Sequence, residues 1–425
     1  MSSRLEAMAN KNGGAHTLTP KLRFPEFQDS AGWDIGEVSD LIAESRTQSS
    51  QNDPTRRITV RLHLQGVEHR DYRGTESAVS TNNFHRKAGQ FIYGKQNIHK
   101  GAFGIIPSHL DGFETSQDLP CFDFKERCYA LWLYYHFARE AVYSSLELRM
   151  TGTGSKRLNE KSFLSLPIAA PAYPEQQTIA SCLTSVDDLI ADQARKVAAL
   201  KTHTKGLMQQ LFPQEGETQP RLRFPEFQDA GDWKEEKLED LAKRGSGHTP
   251  NKTIDDYYNG GIKWVSLADS RRLDKGLISE TTIMISEKGI KNSSAVLHPA
   301  GSVILSRDAG VGKSAVISEP MAVSQHFIVW NCDNRRLSNW FLYYILQIKK
   351  PVFESVASGS TIKTIGLPFF KALRILVPQV KEQQRIAECL TRLDDIITAQ
   401  TQKLDTLKAH KKGLMQQLFP SIGEV

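Results

Sequence analysis

Two nearly identical segments decide the organisation of this chain: EQQTIASCLTSVDDLIADQARKVAALKTHTKGLMQQLFP (Glu175–Pro213) and EQQRIAECLTRLDDIITAQTQKLDTLKAHKKGLMQQLFP (Glu382–Pro420). Each carries two rows of mostly apolar residues, and the members of each row lie seven residues apart. This a/d heptad pattern is typical of a long helix that packs along a partner helix. Each helix is predicted to begin near EQQ and to end before LFP, because proline cannot continue a helix.

The two predicted helices most simply pair with each other, although packing of each helix in a separate bundle is an alternative. The residues predicted to form the pairing seam are Ile179, Leu183, Val186, Ile190, Gln193, Val197, Leu200, Leu207, Ile386, Leu390, Leu393, Ile397, Gln400, Leu404, Leu407 and Leu414. Parallel pairing would place the flanking domains at the same end, and antiparallel pairing would place them at opposite ends. We expect the antiparallel pair, in which Gln193 and Gln400 meet at mid-helix, where a polar a-position residue fixes the register. About 37 residues at 1.5 Å per residue give a rod of roughly 55 Å.

A second repeat opens each half of the chain: PKLRFPEFQDSAGWDIGEVSDL (Pro20–Leu41) and PRLRFPEFQDAGDWKEEKLEDL (Pro220–Leu241). The stretches of about 130 residues between these openings and the helices show no relation to each other. The repeated openings and helices form the joints of each half, and the stretches between them are dissimilar. This pattern is expected when a fixed scaffold carries two different domains. Neutral drift after a tandem duplication is the alternative, but drift would not spare the joints.

The predicted fold class is α+β, with two globular domains that contain small sheets. Two long antiparallel coiled-coil helices join them in a pseudo-twofold arrangement, and the Pro20 and Pro220 openings pack near the helix termini. The predicted segments are a flexible tail at 1–19, a globular domain at 20–173, a helical spacer at 174–219, a second globular domain at 220–379 and a second helical spacer at 380–425.

Composition narrows the functional class only a little. The 425 residues are 39% hydrophobic and 24% charged, and the formal charge of +6 permits a polyanionic partner without establishing one. The five cysteines show neither zinc-ligand spacing nor a disulfide framework. Met1–Leu18 lacks an apolar signal core, and no run of about 18 apolar residues is present. We therefore expect a soluble protein of the cytoplasm.

Several motifs, taken in order and twice over, carry a resemblance to a known family. They are the LRFPEF…W openings, the EQQ entries, the GLMQQLFP endings, GHTPNKTIDDYYNGGIKWVSLAD (Gly247–Asp269), PAGSVILSR (Pro299–Arg307), AVSQHF (Ala322–Phe327), and GSKRLN (Gly154–Asn159) with its counterpart GSTIKTI (Gly359–Ile365). The chain resembles the specificity subunits of bacterial type I restriction-modification systems over nearly its whole length.

The resemblance implies a specific assembly. Two target-recognition domains would each read one half of an asymmetric, bipartite DNA site, and the helical pair would set the unspecified gap. The implied partners are double-stranded DNA, two methyltransferase subunits that hold S-adenosylmethionine, and two restriction subunits that use ATP and Mg²⁺. No cofactor or metal is expected on this chain.

In the first half, a window from Ser77 to Leu110 lacks Asp and Glu and interleaves cations with aromatic and amide residues. Lys and Arg neutralise phosphates, and Asn, Gln, Arg and Lys address base edges. A solvated loop is the alternative interpretation. The DNA contacts predicted in this half are Arg56, Arg57, Arg86, Lys87, Lys95, Asn97, Lys100, Lys156 and Arg157.

In the second half, the chosen residues lie in the motifs that carry the resemblance. The predicted DNA contacts are Thr249, Lys252, Arg307, Lys313, Gln325, His326, Thr361 and Lys363. A lone histidine beside apolar residues is more often a core side chain, and this remains the alternative for His326. Sequence alone does not separate phosphate contacts from base contacts.

Catalytic interpretations lack their motifs. VILSRDAGVGKS (Val303–Ser314) ends like a P-loop, but Arg307 stands where the first glycine is needed. Asn52–Thr55 lacks the second proline and the aromatic residue of a methyltransferase motif, and no carboxylate cluster suits a nuclease. We expect a non-catalytic DNA-recognition subunit. The alternative is a coiled-coil adaptor whose basic domains bind RNA or protein.

Overall fold

The computed structural model describes residues 17–49, 53–72, 74, 83–359 and 363–420. Its chain forms two compact units, and each unit combines one globular domain with parts of both long helices. The first unit comprises the chain up to Ala194 and from Gln402 onward, and the second comprises Arg195–Thr401. No described helix is long and apolar enough to cross a membrane.

The first half of the chain contains eleven strands and four helices among its described residues. The strands are β1 (Thr17–Leu18), β2 (Trp33–Glu37), β3 (Ile42–Ser45), β4 (Ile58–Val60), β5 (Val67–His69), β6 (Asn83–His85), β7 (Phe91–Tyr93), β8 (Phe103–Ile105), β9 (Glu114–Ser116), β10 (Cys121–Phe124) and β11 (Pro167–Ala170). The helices are α1 (Ala130–Phe137), α2 (Glu140–Ser145), α3 (Glu160–Leu164) and the long α4 (Tyr173–Leu211).

The second half also contains eleven strands among its described residues, together with six helices. The strands are β12 (Lys234–Lys237), β13 (Ala242–Ser246), β14 (Tyr258–Val265), β15 (Leu277–Ile278), β16 (Ile283–Ile285), β17 (Leu297–His298), β18 (Val303–Ser306), β19 (Ser314–Ile317), β20 (Met321–Val323), β21 (Phe327–Cys332) and β22 (Arg374–Val377). The helices are α5 (Leu238–Leu241), α6 (Glu287–Lys291), α7 (Asn339–Ile348), α8 (Lys350–Val356), α9 (Leu367–Ala372) and the long α10 (Val380–Gln417).

The first globular domain is built around a four-stranded antiparallel sheet in the order β3-β10-β7-β8. All residues of β7 are buried, because α1 packs on one face of the sheet and a smaller apolar cluster covers the other. A fully buried central strand is expected to be apolar throughout. Thr17 and Leu18 pair with Asp34 and Trp33, so the predicted flexible tail is wrong for these two residues. The rest of that tail, residues 1–16, lies outside the described part of the chain.

The second globular domain contains two larger sheets. A five-stranded sheet has the order β13-β21-β18-β19-β15, and a four-stranded sheet has the order β16-β14-β20-β17. Parallel pairs, β14 with β20 and β15 with β19, occur only here among the described strands. The mixed sheets with flanking helices confirm the predicted α+β class.

The two long helices agree with their heptad pattern. Helix α4 has 39 residues and α10 has 38, so each extends about 58 Å at 1.5 Å per residue. Each begins two residues before EQQ, and each ends close to LFP. All sixteen predicted seam residues are buried or half-buried. The predicted meeting of Gln193 with Gln400 stays a prediction.

Within each unit the helix segments run in opposite directions. In the first unit, Asp187 near the start of α4 pairs with Lys411 near the end of α10. In the second unit, Trp233 packs against Phe212 at the end of α4 and hydrogen-bonds Glu382 at the start of α10. The antiparallel arrangement therefore holds in both units.

Candidate nucleic-acid interface

The opening motif of the first unit ties the start of one long helix to the end of the other. Arg23 donates from Nε and Nη2 to the Glu175 carboxylate at 2.9 and 2.7 Å, and Trp33 Nε1 donates to it at 3.2 Å. The Trp33 ring packs edge-on against Phe419, with centroids 5.9 Å apart. The Glu175 side chain is only 2% exposed. Removing one partner of such a buried pair leaves an uncompensated charge, which is strongly destabilising.

The second unit repeats this joint. Arg223 donates from Nε and Nη2 to Glu382, both at 2.8 Å, and Trp233 Nε1 donates to the same carboxylate at 3.4 Å. Phe212 packs edge-on against Trp233 with centroids 5.9 Å apart. The repeated LRF…W and EQQ motifs are therefore structural, and they orient each globular domain on its helices.

The two globular domains have dissimilar sequences, but each contains four strands in the same order. We call these four strands the sheet frame. Strands β3-β10-β7-β8 have the same order as β13-β21-β18-β19. The registers also correspond, since Ile92 pairs with Cys121 in the first sheet and Ile304 with Val329 in the second. This correspondence defines equivalent positions in two stretches that look unrelated as sequences.

Backbone hydrogen bonds of Lys95, just after β7, hold two other segments at one edge of the first sheet frame. The Lys95 N–H donates to the Asp118 carbonyl at 3.0 Å, and the Lys95 carbonyl accepts from the Leu158 N–H at 2.9 Å. The Lys95 ammonium lies 2.7 Å from the Glu160 carboxylate. These bonds bring the turn before β10 and the segment before α3 to the same place.

The second frame makes the same bonds at the end of β18. The Arg307 N–H donates to the His326 carbonyl at 2.9 Å, and the Arg307 carbonyl accepts from the Ile365 N–H at 3.0 Å. Arg307 Nε lies 3.7 Å from the Asp308 carboxylate. Lys95 and Arg307 are therefore equivalent, as are Asp118 and His326.

The equivalence extends to neighbouring side chains. Gln117 and Gln325 precede Asp118 and His326, and both glutamines are exposed. Bridges from Thr151 to Arg157 and from Ser358 to Thr364 make Arg157 equivalent to Thr364. The preceding residues, Lys156 and Lys363, are both exposed. We call these positions the recognition edge: Gln117, Asp118, Lys156 and Arg157 in the first unit, and Gln325, His326, Lys363 and Thr364 in the second.

At each recognition edge a carboxylate binds one polar side chain: Asp118 binds Arg157 in the first unit, and Asp308 binds His326 in the second. In the first unit, Arg157 Nη1 donates to Asp118 at 2.9 Å, and both side chains are 45% exposed. In the second unit, His326 Nδ1 lies 2.6 Å from Asp308, and the histidine side chain is 31% exposed. Each edge thus presents an oriented polar group to solvent, and the two groups differ chemically.

Comparison with known proteins identifies the family. The family described as the type I restriction modification DNA specificity domain matches residues 33–202 and 230–409, which is more than half of the chain. The chain belongs to this family. The membership confirms the predicted role in DNA specificity rather than catalysis, and it gives no support to the adaptor alternative.

Individual members of the family show partial sequence similarity. The MjaIX specificity subunit of Methanocaldococcus jannaschii is 28% identical over 190 residues, which is 44% of this chain and 44% of that subunit. The chain thus spans less than half the length of this relative. The EcoR124I/EcoR124II specificity subunit of Escherichia coli is 25% identical over 345 residues, 74% of this chain and 80% of that subunit.

Solved structures support the fold. The S subunit of a type I system from M. genitalium has a TM-score of 0.59 at 13% identity, covering 95% of this chain and all of that one. A chain from a solved type I restriction-modification system has a TM-score of 0.57 at 17% identity, covering 96% of this chain and 99% of that one. The architecture is therefore that of a type I specificity domain protein.

The DNA contacts predicted in the first recognition domain divide by exposure. Arg56, Lys87, Lys100, Lys156 and Arg157 are exposed, while Asn97 is half-buried. Most of the Arg57 and Lys95 side chains is covered, since Arg57 lies 2.9 Å from Glu114 and Lys95 lies 2.7 Å from Glu160. The five exposed side chains reach solvent without rearrangement.

Arg86 requires a correction. Its side chain is buried, and its three guanidinium nitrogens donate to Thr115 Oγ1, the Ser45 carbonyl and the Leu119 carbonyl at 2.7, 2.9 and 3.2 Å. Burial lowers the pKa of the guanidinium, although nearby carboxylates oppose this effect. Arg86 stabilises the first recognition domain from inside, so the prediction that it contacts DNA is wrong for this structure.

The contacts predicted in the second recognition domain also divide by exposure. Lys252, Gln325 and Lys363 are exposed, and Thr249, Arg307, Lys313 and His326 are half-buried. Thr249 donates to the Gln325 side chain, which places it beside the recognition edge. The Lys313 ammonium donates to Asp274 at 2.8 Å and to the Ser270 carbonyl at 3.2 Å, so it joins two loops. Thr361 lies outside the described residues.

The segment that ends like a P-loop has a different structure. Its glycines, Gly310 and Gly312, both have φ of +82° in the turn between β18 and β19. A P-loop leads from a strand into a helix, whereas here strand follows strand in an antiparallel hairpin. The hairpin supports the recognition edge.

Gln117, Asp118 and Asp308 belong to this surface but were not among the predicted contacts. A weak sequence signal exists, because Ser-Gln occurs at Ser116–Gln117 and again at Ser324–Gln325. The dipeptide gains meaning only when the strand register shows that both copies occupy the same position.

Proposed function

We propose that this chain is the DNA-reading subunit of a type I restriction-modification complex and that it recognises an asymmetric, bipartite DNA site. Each recognition domain would contact one half of the site. One observation carries the proposal: the two domains share a sheet frame and register, yet they present different polar side chains at the same edge. Equivalent frames with different polar edges suit two dissimilar half-sites, because base contacts rather than phosphate contacts carry sequence information.

The long helices would set the unspecified gap between the half-sites. Their uninterrupted length of about 58 Å corresponds to roughly 1.6 to 1.7 turns of B-DNA at about 34–36 Å per turn. Inserting about four residues, roughly one helical turn, into both helices should lengthen the gap. An unchanged gap in methylated sites would contradict this role of the helices.

The same proposal includes partners and location. Two methyltransferase subunits with S-adenosylmethionine and two ATP- and Mg²⁺-dependent restriction subunits would supply the chemistry in the cytoplasm. This chain would supply specificity and a scaffold. Their stoichiometry can be measured by native mass spectrometry of the purified complex.

The direct test is duplex binding with the methyltransferase subunits present. Filter binding should give tight complexes that withstand competitor DNA and weaken when either half-site is changed. Each mismatched base pair is expected to cost about 1–3 kcal/mol. Equal affinity for every sequence would contradict the proposal.

A domain exchange tests the division of labour. Replacing residues 42–173 with those of another specificity subunit retains the opening motif and the long helices. Sequencing of methylated sites should show one altered half-site and one unchanged half-site. Alteration of both halves would contradict separate recognition by the two domains.

A further inference from the structure

We infer that the carboxylate-held groups at the two recognition edges determine one base pair in each half-site. Arg157 would select guanine in the first half-site, and His326 would select a base with an exposed amino group, adenine or cytosine, in the second. The inference rests on the proposed function and assigns particular residues to it.

Arg157 has the geometry of a guanine contact. Its bond to Asp118 uses Nη1, and the described part of the chain shows no bond from Nε or Nη2. A guanidinium has donors only, and two of them match the O6 and N7 acceptors of guanine in the major groove. Holding the side chain in place before binding reduces the entropy lost on contact.

His326, which is equivalent to Asp118 rather than to Arg157, presents a different group at the second recognition edge. A carboxylate only accepts hydrogen bonds, so the 2.6 Å contact with Asp308 requires a proton on Nδ1. When Nδ1 carries the only ring proton, Nε2 is an acceptor. Adenine and cytosine offer exocyclic amino donors in the major groove, whereas guanine offers acceptors there.

At the remaining positions of the recognition edge the two units have the same residue, and this distinguishes candidate phosphate contacts from candidate base contacts. Gln117 and Gln325 are identical and exposed, and so are Lys156 and Lys363. Residues that are the same in both domains suit features common to both half-sites, such as phosphates. The two pairs that differ are Asp118 with His326 and Arg157 with Thr364. These positions therefore contain the residues that discriminate between bases.

The test is selection from a randomised duplex library by the full-length chain with its methyltransferase subunits, at pH 8. Asp118→Asn and Arg157→Gln should each reduce the preference for one guanine of the first half-site by about 10-fold or more and leave the second unchanged. Asp308→Asn and His326→Phe, which removes the ring acceptor, should do the same for one adenine or cytosine of the second half-site. A good base contact gives about 1–3 kcal/mol of discrimination, equivalent to roughly 5- to 150-fold.

Controls separate specificity from folding. Glu235→Gln changes a carboxylate that is exposed like Asp118 and lies 2.7 Å from Arg374, and it should leave both half-sites unchanged. Thermal unfolding should show that each variant remains folded. If Asp308→Asn lowers the unfolding midpoint, His326→Phe supplies the test of that edge.

The outcomes distinguish this inference from the proposed function. If the unmodified chain selects no bipartite motif, the proposed function fails. If it selects one and Arg157→Gln and His326→Phe leave every base preference intact, only the present inference fails. Uniform loss of affinity by a folded variant would also overturn it, because the pair would then supply binding without discrimination.

Discussion

The two long helices contact their globular domains through the same tyrosine–aspartate pair, but the surroundings of the two aspartates differ. In the first unit, Tyr135 donates to Asp187 at 2.8 Å, and the Lys411 ammonium lies 2.6 Å from the same carboxylate. The ammonium also lies 5.2 Å from the centre of the Tyr135 ring. This carboxylate therefore has both a hydroxyl donor and a cation.

In the second unit, Tyr344 donates to Asp394 at 2.7 Å. The repeat places Thr204 where the first unit has Lys411, and the Thr204 hydroxyl donates to the Leu200 carbonyl. Burial raises the pKa of Asp394, with a further contribution from Asp395, although the Tyr344 bond opposes the shift. The difference teaches that a duplicated contact can keep its geometry while its electrostatics diverge.

The largest expected effect is at the joints, where the two units match. Glu175→Ala and Glu382→Ala should each lower the free energy of unfolding by about 3–5 kcal/mol, because each leaves a buried guanidinium without its partner. Urea denaturation gives the loss, and hydrogen exchange of peptides from each unit locates it. Glu235→Ala, at an exposed ion pair, should cost at most about 1 kcal/mol. A loss in one unit less than half that in the other would contradict the equivalence of the joints.

Smaller changes in the free energy of unfolding are expected when the two aspartates are replaced, and the two changes should have opposite signs. Asp187→Asn should destabilise the chain by about 0.5–1 kcal/mol at pH 7, because it weakens a partly exposed ion pair with Lys411. Asp394→Asn should stabilise it by up to about 1 kcal/mol, because asparagine still accepts the Tyr344 bond without burying a charge. Urea denaturation of the two variants measures both changes. Equal signs would show that Asp394 has a cation partner after all.

The pH dependence of Asp394→Asn follows from the raised pKa. Between the unfolded and folded pKa values of Asp394, the folded chain binds more protons, so the stability of the wild type falls as pH rises through that window. Asparagine does not ionise. The advantage of the variant should therefore grow as pH rises from the unfolded pKa of about 4 through the raised folded pKa, and then remain constant. A constant difference between the free energies of unfolding across this range would contradict the assignment.

The heptad pattern was enough to predict the two long helices, because an apolar period of seven residues kept over five heptads is typical of paired long helices. The shared sheet frame could not be predicted in the same way. Strands β7 and β18 have one identical residue at equivalent positions, Ile92 and Ile304, and their equivalence depends on backbone pairing. Arg86 shows a second limit: it and Lys87 are adjacent cations, but one is buried and the other exposed. Composition gives the number of charges in a segment and leaves open which of them face solvent.

The smallest effects on stability are expected at Lys156 and Lys363, which occupy equivalent positions of the two recognition edges. Replacing them tests whether equivalent positions have the same role. Lys156→Ala and Lys363→Ala should each weaken DNA binding for all sequences alike and lower the slope of log affinity against log salt by about 1. Stability should change by less than about 0.5 kcal/mol, because both side chains are exposed. Binding titrations at several salt concentrations measure the slope, and Lys291→Ala, whose exposed lysine belongs to α6, is the control. If one of the two lysines changes base preference while the other changes only the salt slope, the recognition edges make different kinds of contact at equivalent positions, and the frame alone does not determine which residues meet phosphates.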